Sequence, residues 1–316
     1  MNSSPSGPGP RGEDWLRDGG SRASVAGVHE FGSGNGPAWL TRSEGDALET
    51  IGADAGCAQV DPRRLCEFLL ETAQSRGVVL HQPAKPVGVT TDDGALNGLT
   101  IATESGRKTI PCDSLLVAAG AWTPTVFQTL FPSSKLRVPI TPLAGHSLTL
   151  RSPRWASDAS SPETDPCHAV FSSLTSGLSP EIFSRVGGEI YVAGLNSSTI
   201  PLPEKASDAA IDEAAIQTLK EVGEKMLGVR GGENDLEVVR TGLCFRPVTP
   251  RGTPILSRVQ DGELGLEKGR GQAQGGVFVA AGHGPWGISL SLGTGLVMAE
   301  MMTGRKTSAN VKRLAL

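Results

Sequence analysis

Apolar and polar positions change their period several times along the chain, and each change marks an element. Residues 1–36 are rich in Gly, Ser and Pro with almost no apolar run, which predicts a disordered arm, with order beginning near Ala38, Trp39 and Leu40. Asp61 and Pro62 then open a helix, one as a capping side chain and the other at the first helical position. Leu65, Phe68, Leu69 and Thr72 fall on one face of it, and Gly77 stands where such a helix ends. Val78, Val79 and Leu80 read as a short buried strand. Residues 87–89, 99–101 and 108–110 alternate like hairpin strands, joined by turns at Asp92-Asp93-Gly94 and Ser105-Gly106. Residues 115–119 form a fully buried strand that runs into Gly120, Ala121 and Trp122, after which Thr123 and Pro124 cap a further short helix.

From 136 to about 256 the texture becomes one of separate strands, at 147–150, 189–193 and 237–240, interrupted by one amphipathic helix. Ser207 is its expected cap, Ile211, Ala215, Leu219, Val222 and Met226 its apolar stripe, and Gly228 its end. The pattern is that of a largely antiparallel domain inserted into an α/β one. Residues 276–281 then form a buried strand, followed by the turn Gly282-His283-Gly284-Pro285-Trp286-Gly287 and an apolar helix that includes Glu300.

Gly282, Gly284 and Gly287 spell G-x-G-x-x-G, the dinucleotide-binding pattern. A dinucleotide unit also needs a second parallel strand ending in an acidic residue that holds the ribose. Here the helix is followed by Gly304 and a polar stretch, and Glu300 lies inside the helix. Three readings stay open: a phosphate-binding fingerprint, a tight strand-to-helix turn, and a turn that touches another part of a nucleotide cofactor. In each, backbone N–H groups and a helix dipole point at whatever lies above the turn.

Composition narrows the function. The net charge is −4 with Lys and Arg scattered, which argues against a nucleic-acid partner. No apolar run reaches the length of about 18 residues that a membrane span needs. The first 12 residues hold no apolar signal core, so cytoplasm is the expected location. Cys57, Cys66, Cys112, Cys167 and Cys244 lack C-x-x-C spacing and read as reduced thiols, the five histidines are equally scattered, and no metal site is expected.

Six segments occur in the order and spacing of one family: 58–62, 116–122, the Pro142-Leu143-Ala144-Gly145-His146 turn, 189–192, Arg246-Pro247-Val248-Thr249-Pro250 with residues 252–255, and the final glycine turn. In these the chain resembles the FAD-dependent amine and amino-acid oxidoreductases of the D-amino-acid oxidase superfamily. The resemblance covers most of 38–304, with details similar to fungal oxidoreductases of that group. It implies an α/β fold in which an incomplete doubly wound FAD-binding domain, over 37–135 and 257–304, carries an inserted, largely antiparallel α+β substrate domain over 136–256, with a polar tail at 305–316. Family members begin with a strand, G-x-G-x-x-G and helix that hold the FAD pyrophosphate. None is legible ahead of Ala38, so the expectation is a truncated chain whose strands keep open edges and exposed apolar faces.

The resemblance also implies roles. Gly282, Gly284, Pro285, Trp286 and Gly287 lie beside the flavin ring, Gly120, Ala121 and Trp122 next to FAD, and Pro86 and Val87 near its adenosine, although Pro86 has no N–H to give. Arg246 binds the acid group of the substrate, Tyr191 lines the same pocket, and His283 tunes flavin N5 or the reaction with oxygen. Gly242 precedes Arg246 by four, a displacement from the family's G-x-R-P. Read as residues alone, the same positions also fit packing turns, a loop-bracing arginine, a core tyrosine and a turn histidine. The expected activity is oxidation of a C–N bond of a small amine or amino acid by hydride transfer to flavin N5, with O2 as acceptor. The alternative is a flavin-free, non-catalytic fragment or interaction module; a nicotinamide enzyme lacks its second strand.

Overall fold

The computed structural model describes residues 36–52, 57–155, 167–265 and 275–316; of the arm expected at 1–36, all but residue 36 lies outside them. In chain order the elements are α1 (Pro62–Ser75), β1 (Lys85–Asp92), β2 (Ala95–Thr103), β3 (Gly106–Pro111), β4 (Ser114–Val117), α2 (Thr123–Leu130), β5 (Thr141–Arg151), β6 (Ala169–Phe171), β7 (Glu181–Arg185) and β8 (Glu189–Ser197). They continue with α3 (Glu213–Leu227), β9 (Glu237–Val248), β10 (Ile255–Arg258), α4 (Asp261–Leu264), β11 (Gly276–Ala281) and α5 (Gly287–Met302). Two compact units result: Asp61–Pro142 with Arg246–Leu316, and the described residues up to Val60 with Leu143–Phe245.

In the first unit α1 begins as its sequence demands, the Asp61 carboxylate accepting the N–H groups of Arg63 and Arg64. It buries none of its residues, and Phe68 is 63% exposed. Val78, Val79 and Leu80, expected as a buried strand, form no strand, and Val79 is 71% exposed. An apolar run becomes a strand only when a neighbour takes its backbone hydrogen bonds, and no described strand pairs with 78–80. β1, β2 and β3 make an antiparallel sheet whose first turn has positive φ at Asp93 and Gly94, the two-residue geometry that matches strand twist.

The second sheet of this unit has the order β10-β11-β4, with β11 parallel to β4. Val117, Phe127, Leu130, Ile255, Val277 and Val279 bury together at its core. β4 was expected to be fully buried; Leu115 and Leu116 are half-buried because β4 is an edge strand. Residues 305–316, expected as a polar tail, fold back on the unit. The Glu300 carboxylate accepts the Ser308 N–H at 2.7 Å and the Ser308 hydroxyl, while Val311 and Leu314 pack on the cluster of Leu256, Phe278, Val297 and Met298. Arg251 adds a bond to the Ala315 carbonyl at 2.8 Å.

The second unit is built on a sheet of order β6-β7-β8-β5-β9. Leu148, Leu150, Ile182, Ile190 and Val192 pack against Ile216, Leu219, Val222 and Met226 of α3. Asp212 caps α3, accepting the N–H groups of Ala214 and Ala215, and not Ser207 as expected; Ser207 sits in a separate turn, Ala206–Asp208. Extended backbone from Ala209 carries Ile211 onto the core before the helix starts, which leaves Asp212 as the residue with a free side chain at the first turn. Trp39 and Leu40 join this core, and the Thr41 hydroxyl donates to the Gly228 carbonyl at 2.6 Å, so residues 38–41 pack with this unit; the sequence division placed them with the α/β domain. β5 and β9 run through both junctions, so the change of texture read at 136 and 256 precedes and follows those strands.

Candidate functional site

In the parallel pair, Val117 of β4 lies opposite Val279 of β11. Each strand is left through a glycine of positive φ three residues on, Gly120 at 54° and Gly282 at 83°. A short 3-10 turn follows each, Gly120–Trp122 and Gly284–Trp286, and then a helix, α2 or α5. The two glycine turns that the sequence singles out in distant places therefore leave the same edge of one parallel pair. That carboxyl edge is where parallel sheets open room for a ligand.

The glycines do different work. A Cβ on Gly282 would stand 2.4 Å from Thr249 Cγ2, so packing alone demands glycine there. A Cβ on Gly120 would meet nothing within 4 Å, and one on Gly287 would come no nearer than 3.8 Å to His283 Cβ. Open space faces both. Thr123, the first residue of α2, is fully buried and its hydroxyl has no hydrogen-bond partner among the described residues. Trp286 brings no side-chain cap to α5, so the positive end of a 16-residue helix is left to its surroundings.

His283 joins the turn to the helix. Its Nε2 is 2.9 Å from Thr294 Oγ1, and burial pushes its imidazole below the ordinary histidine range. Together with Leu116, Ala118 and Met298 these two line a groove of about 440 Å³ between β4 and α5. Pro86 and Val87 lie at a bulge: Pro86 pairs with Ile101 and Gly88 with Thr100, which takes Val87 out of the regular ladder.

Arg246 is half-buried on β9, in the first unit, and Tyr191 is half-buried on β8, in the second. The displaced glycine has a packing reason, since a Cβ on Gly242 would stand 2.8 Å from the Ser147 hydroxyl oxygen on β5. Around Tyr191 the structure adds residues that sequence reasoning missed. The Arg185 guanidinium lies over its ring at 4.8 Å, and the Phe183 ring centroid is 6.2 Å away. The alternation in 181–185 and 189–193 carried that signal, because it puts Phe183, Arg185 and Tyr191 at matching parity. Among the described residues no group of His, Cys, Asp and Glu side chains could hold a metal, and no helix is long and apolar enough to cross a membrane.

The DAO family model, FAD dependent oxidoreductase, matches residues 15–301. A Schizosaccharomyces pombe protein described as an oxidoreductase is 28% identical over 295 residues, covering 87% of this chain and 68% of that protein. D-amino acid dehydrogenase of Xanthobacter autotrophicus is 28% identical over 259 residues, 82% of this chain and 51% of the dehydrogenase. Among solved structures, L-proline dehydrogenase from P. horikoshii superposes with a TM-score of 0.60 at 18% identity, over 81% of this chain and 59% of that one. Glycine oxidase from Geobacillus kaustophilus gives 0.58 at 21% identity, over 80% and 56%. The two solved structures share the fold, and the chain spans between 51% and 68% of the length of these four relatives.

Proposed function

The chain belongs to the DAO family of FAD-dependent oxidoreductases, and from that membership we propose that it oxidises a C–N bond of a small amine or amino acid, with O2 as the final acceptor. Bound FAD supplies a ring that accepts hydride at N5. The α-hydrogen leaves the substrate carbon with its electron pair, and water hydrolyses the resulting imine to a carbonyl product and ammonia. With O2 as acceptor, two electrons and two protons would leave as hydrogen peroxide. The lone pair of the neutral amine drives the loss of hydride, so the chain needs to supply orientation and electrostatics and no strong base.

The observation that carries this reading is the pair of glycine turns at the carboxyl edge of β4 and β11, with open space in front of Gly120 and Gly287 and, beside them, a Thr123 hydroxyl without a partner among the described residues. These residues fit the ring end of a flavin. Gly282, Gly284, Pro285, Trp286 and Gly287 would hold one side of it and Gly120, Ala121 and Trp122 another, with Val87, next to Pro86, offering a backbone group to the adenosine. The uncapped N-terminus of α5 favours negative charge by about 1 kcal/mol, which raises a two-electron potential by roughly 20 mV. Arg246 supplies a guanidinium fork for a carboxylate. In this reading the first unit carries both FAD and the arginine for the substrate's acid group.

A direct test is anaerobic addition of amines and amino acids while the visible flavin band is followed. Bleaching by an amine, and hydrogen peroxide on admitting air, are expected. Arg246→Ala should raise KM for an amino acid at least tenfold more than for a plain amine, and equal effects on both would remove its role. One observation favours a second reading, in which the chain acts without flavin as an interaction module: Phe68, Val78 and Val79 are 63%, 55% and 71% exposed. A colourless protein that refuses added FAD would favour it.

A further inference from the structure

Helix α1 takes no part in the core of its own unit. None of its residues is buried, none joins an apolar cluster among the described residues, and Phe68 and Leu69 are 63% and 40% exposed. Val78, Val79 and Leu80, just beyond its end, are exposed as well. Single apolar residues on a surface need no explanation, but a run of them along one helix and the segment after it marks a face that another body covers.

The order of side chains along α1 says what that body is. Leu65, Phe68, Leu69 and Thr72 have the three-and-four spacing of a helix-pairing seam. Arg64 and Glu71 stand two helical turns apart on one flank of that seam, with Phe68 between them. Along the helix axis Arg64 lies about 6 Å to one side of Phe68 and Glu71 about 4.5 Å to the other. A two-fold axis at Phe68 reverses the second helix and keeps the flank, so each Arg64 comes level, to about 1.5 Å, with Glu71 of the other copy. Among the described residues Arg64 and Glu71 have no ion-pair partner, whereas Arg63 and Glu67 are joined at 2.8 Å. The charges of Arg63, Arg64, Glu67 and Glu71 cancel, so α1 lacks the basic polar face that an anionic lipid surface takes.

We propose that α1 is a self-association surface: two copies of this chain pair their α1 helices antiparallel about a two-fold axis at Phe68, Arg64 of each against Glu71 of the other. The pairing goes beyond the oxidoreductase reading and stands without it, since it uses no residue of the candidate flavin site.

Sedimentation equilibrium of the full chain should give a dimer, and Phe68→Gln a monomer. Arg64→Glu and Glu71→Arg should each weaken association by about tenfold, because each sets like charges face to face at both ends of the seam. The double variant Arg64→Glu/Glu71→Arg should recover the parent's affinity. An equimolar mixture of the two single variants should associate too, because every contact in a mixed pair again joins opposite charges. The three positions are exposed, and unchanged circular dichroism will show that the fold is kept. A parent that stays monomeric at tens of micromolar overturns the proposal, and if that monomer sediments with phosphatidylglycerol vesicles the face belongs to lipid. An assembly that persists in Phe68→Gln, or ignores both single reversals, uses another face and overturns it as well. A double variant or a mixture as weak as the single variants overturns the two-fold pairing.

Discussion

Val117 of β4 and Val279 of β11 are direct partners in a parallel pair, and the chain leaves both strands through a glycine three residues later. One strand comes before Leu143–Phe245 and the other after it. The equal offset brings two turns and the N-termini of α2 and α5 to one sheet edge, and the candidate flavin site consists of that edge.

Three glycine substitutions separate packing from ligand contact. Gly282→Ala meets Thr249 at 2.4 Å and a φ of 83°, and should cost about 2–4 kcal/mol in urea unfolding. Gly120→Ala has open space but a φ of 54°, and should cost about 1 kcal/mol while weakening FAD binding more than tenfold. Gly287→Ala, with helical φ and ψ of −55° and −45°, should leave the fold as stable or firmer by about 0.5 kcal/mol, yet still weaken FAD. A Gly287→Ala protein with unchanged flavin affinity would contradict the placement of the ring at α5.

Acid should destabilise the second unit through His146. Its Nε2 accepts the Asp212 N–H at 3.2 Å, so the folded form is neutral; burial pushes its pKa down and the Asp212 carboxylate pulls it partly back. An unfolded histidine titrates near about 6.5. The stability held in the neutral ring is complete above that pH and is lost as pH falls from there to the lower folded pKa. His283 has the same sign, from burial. Urea midpoints should therefore drop on going from about pH 8 to about pH 5.5. His146→Gln, whose amide oxygen can accept the same N–H, should flatten part of that drop; an unchanged slope would exclude His146.

Arg154 ties the C-terminal end of α3 to the loop before β9. Its guanidinium, first, and the Ser152 hydroxyl hold Asp235 at a pKa of about 2, and its Nη2 donates to the Leu227 carbonyl at 2.8 Å. Asp235 has a depressed pKa, so its contribution is present above the ordinary carboxylate range and is lost as pH falls through that range towards 2. Asp235→Asn should cost about 1–2 kcal/mol at neutral pH, a figure kept low by the exposure of both partners. Chemical unfolding at neutral pH and again near the bottom of that window should show the difference between variant and parent shrinking in acid.

The bond between Glu300 and Ser308 should decide whether the C-terminal segment stays down. The Ser308 hydroxyl and then its N–H lower the Glu300 pKa, and Glu300 is 7% exposed. Glu300→Ala should loosen the backbone at Arg305 and Lys306, whose side chains are already exposed, and make trypsin cleavage there at least several-fold faster with the rest of the chain intact. Equal cleavage rates would mean that Val311 and Leu314 hold the segment without help.

Much of this was legible in the sequence, and the failures share a cause. Asp61, Gly77, the Asp93-Gly94 turn and the stripe from Ala215 to Met226 act locally, and their residue types are sufficient to place them. Val78, Val79 and Leu80 carry the composition of a strand, but pairing is a property of a neighbour, which no local pattern contains. The two glycine turns were visible singly; their meeting depends on the register of β4 with β11, strands more than a hundred residues apart. Ser207 and Asp212 are both good caps, and the choice fell to the one that lets Ile211 reach the core. Gly242 looked like a displaced motif until Ser147 supplied its reason. The segment after Gly304 reads as polar because its contribution to packing comes from Val311 and Leu314 alone, against the cluster of Leu256, Phe278, Val297 and Met298.

The most direct measurement is the visible spectrum of the purified chain before and after incubation with FAD and removal of the excess. The account predicts a retained flavin band at about one FAD per chain, lowered in Gly287→Ala without loss of helical circular dichroism. A folded protein that retains no flavin from a saturating solution would contradict it.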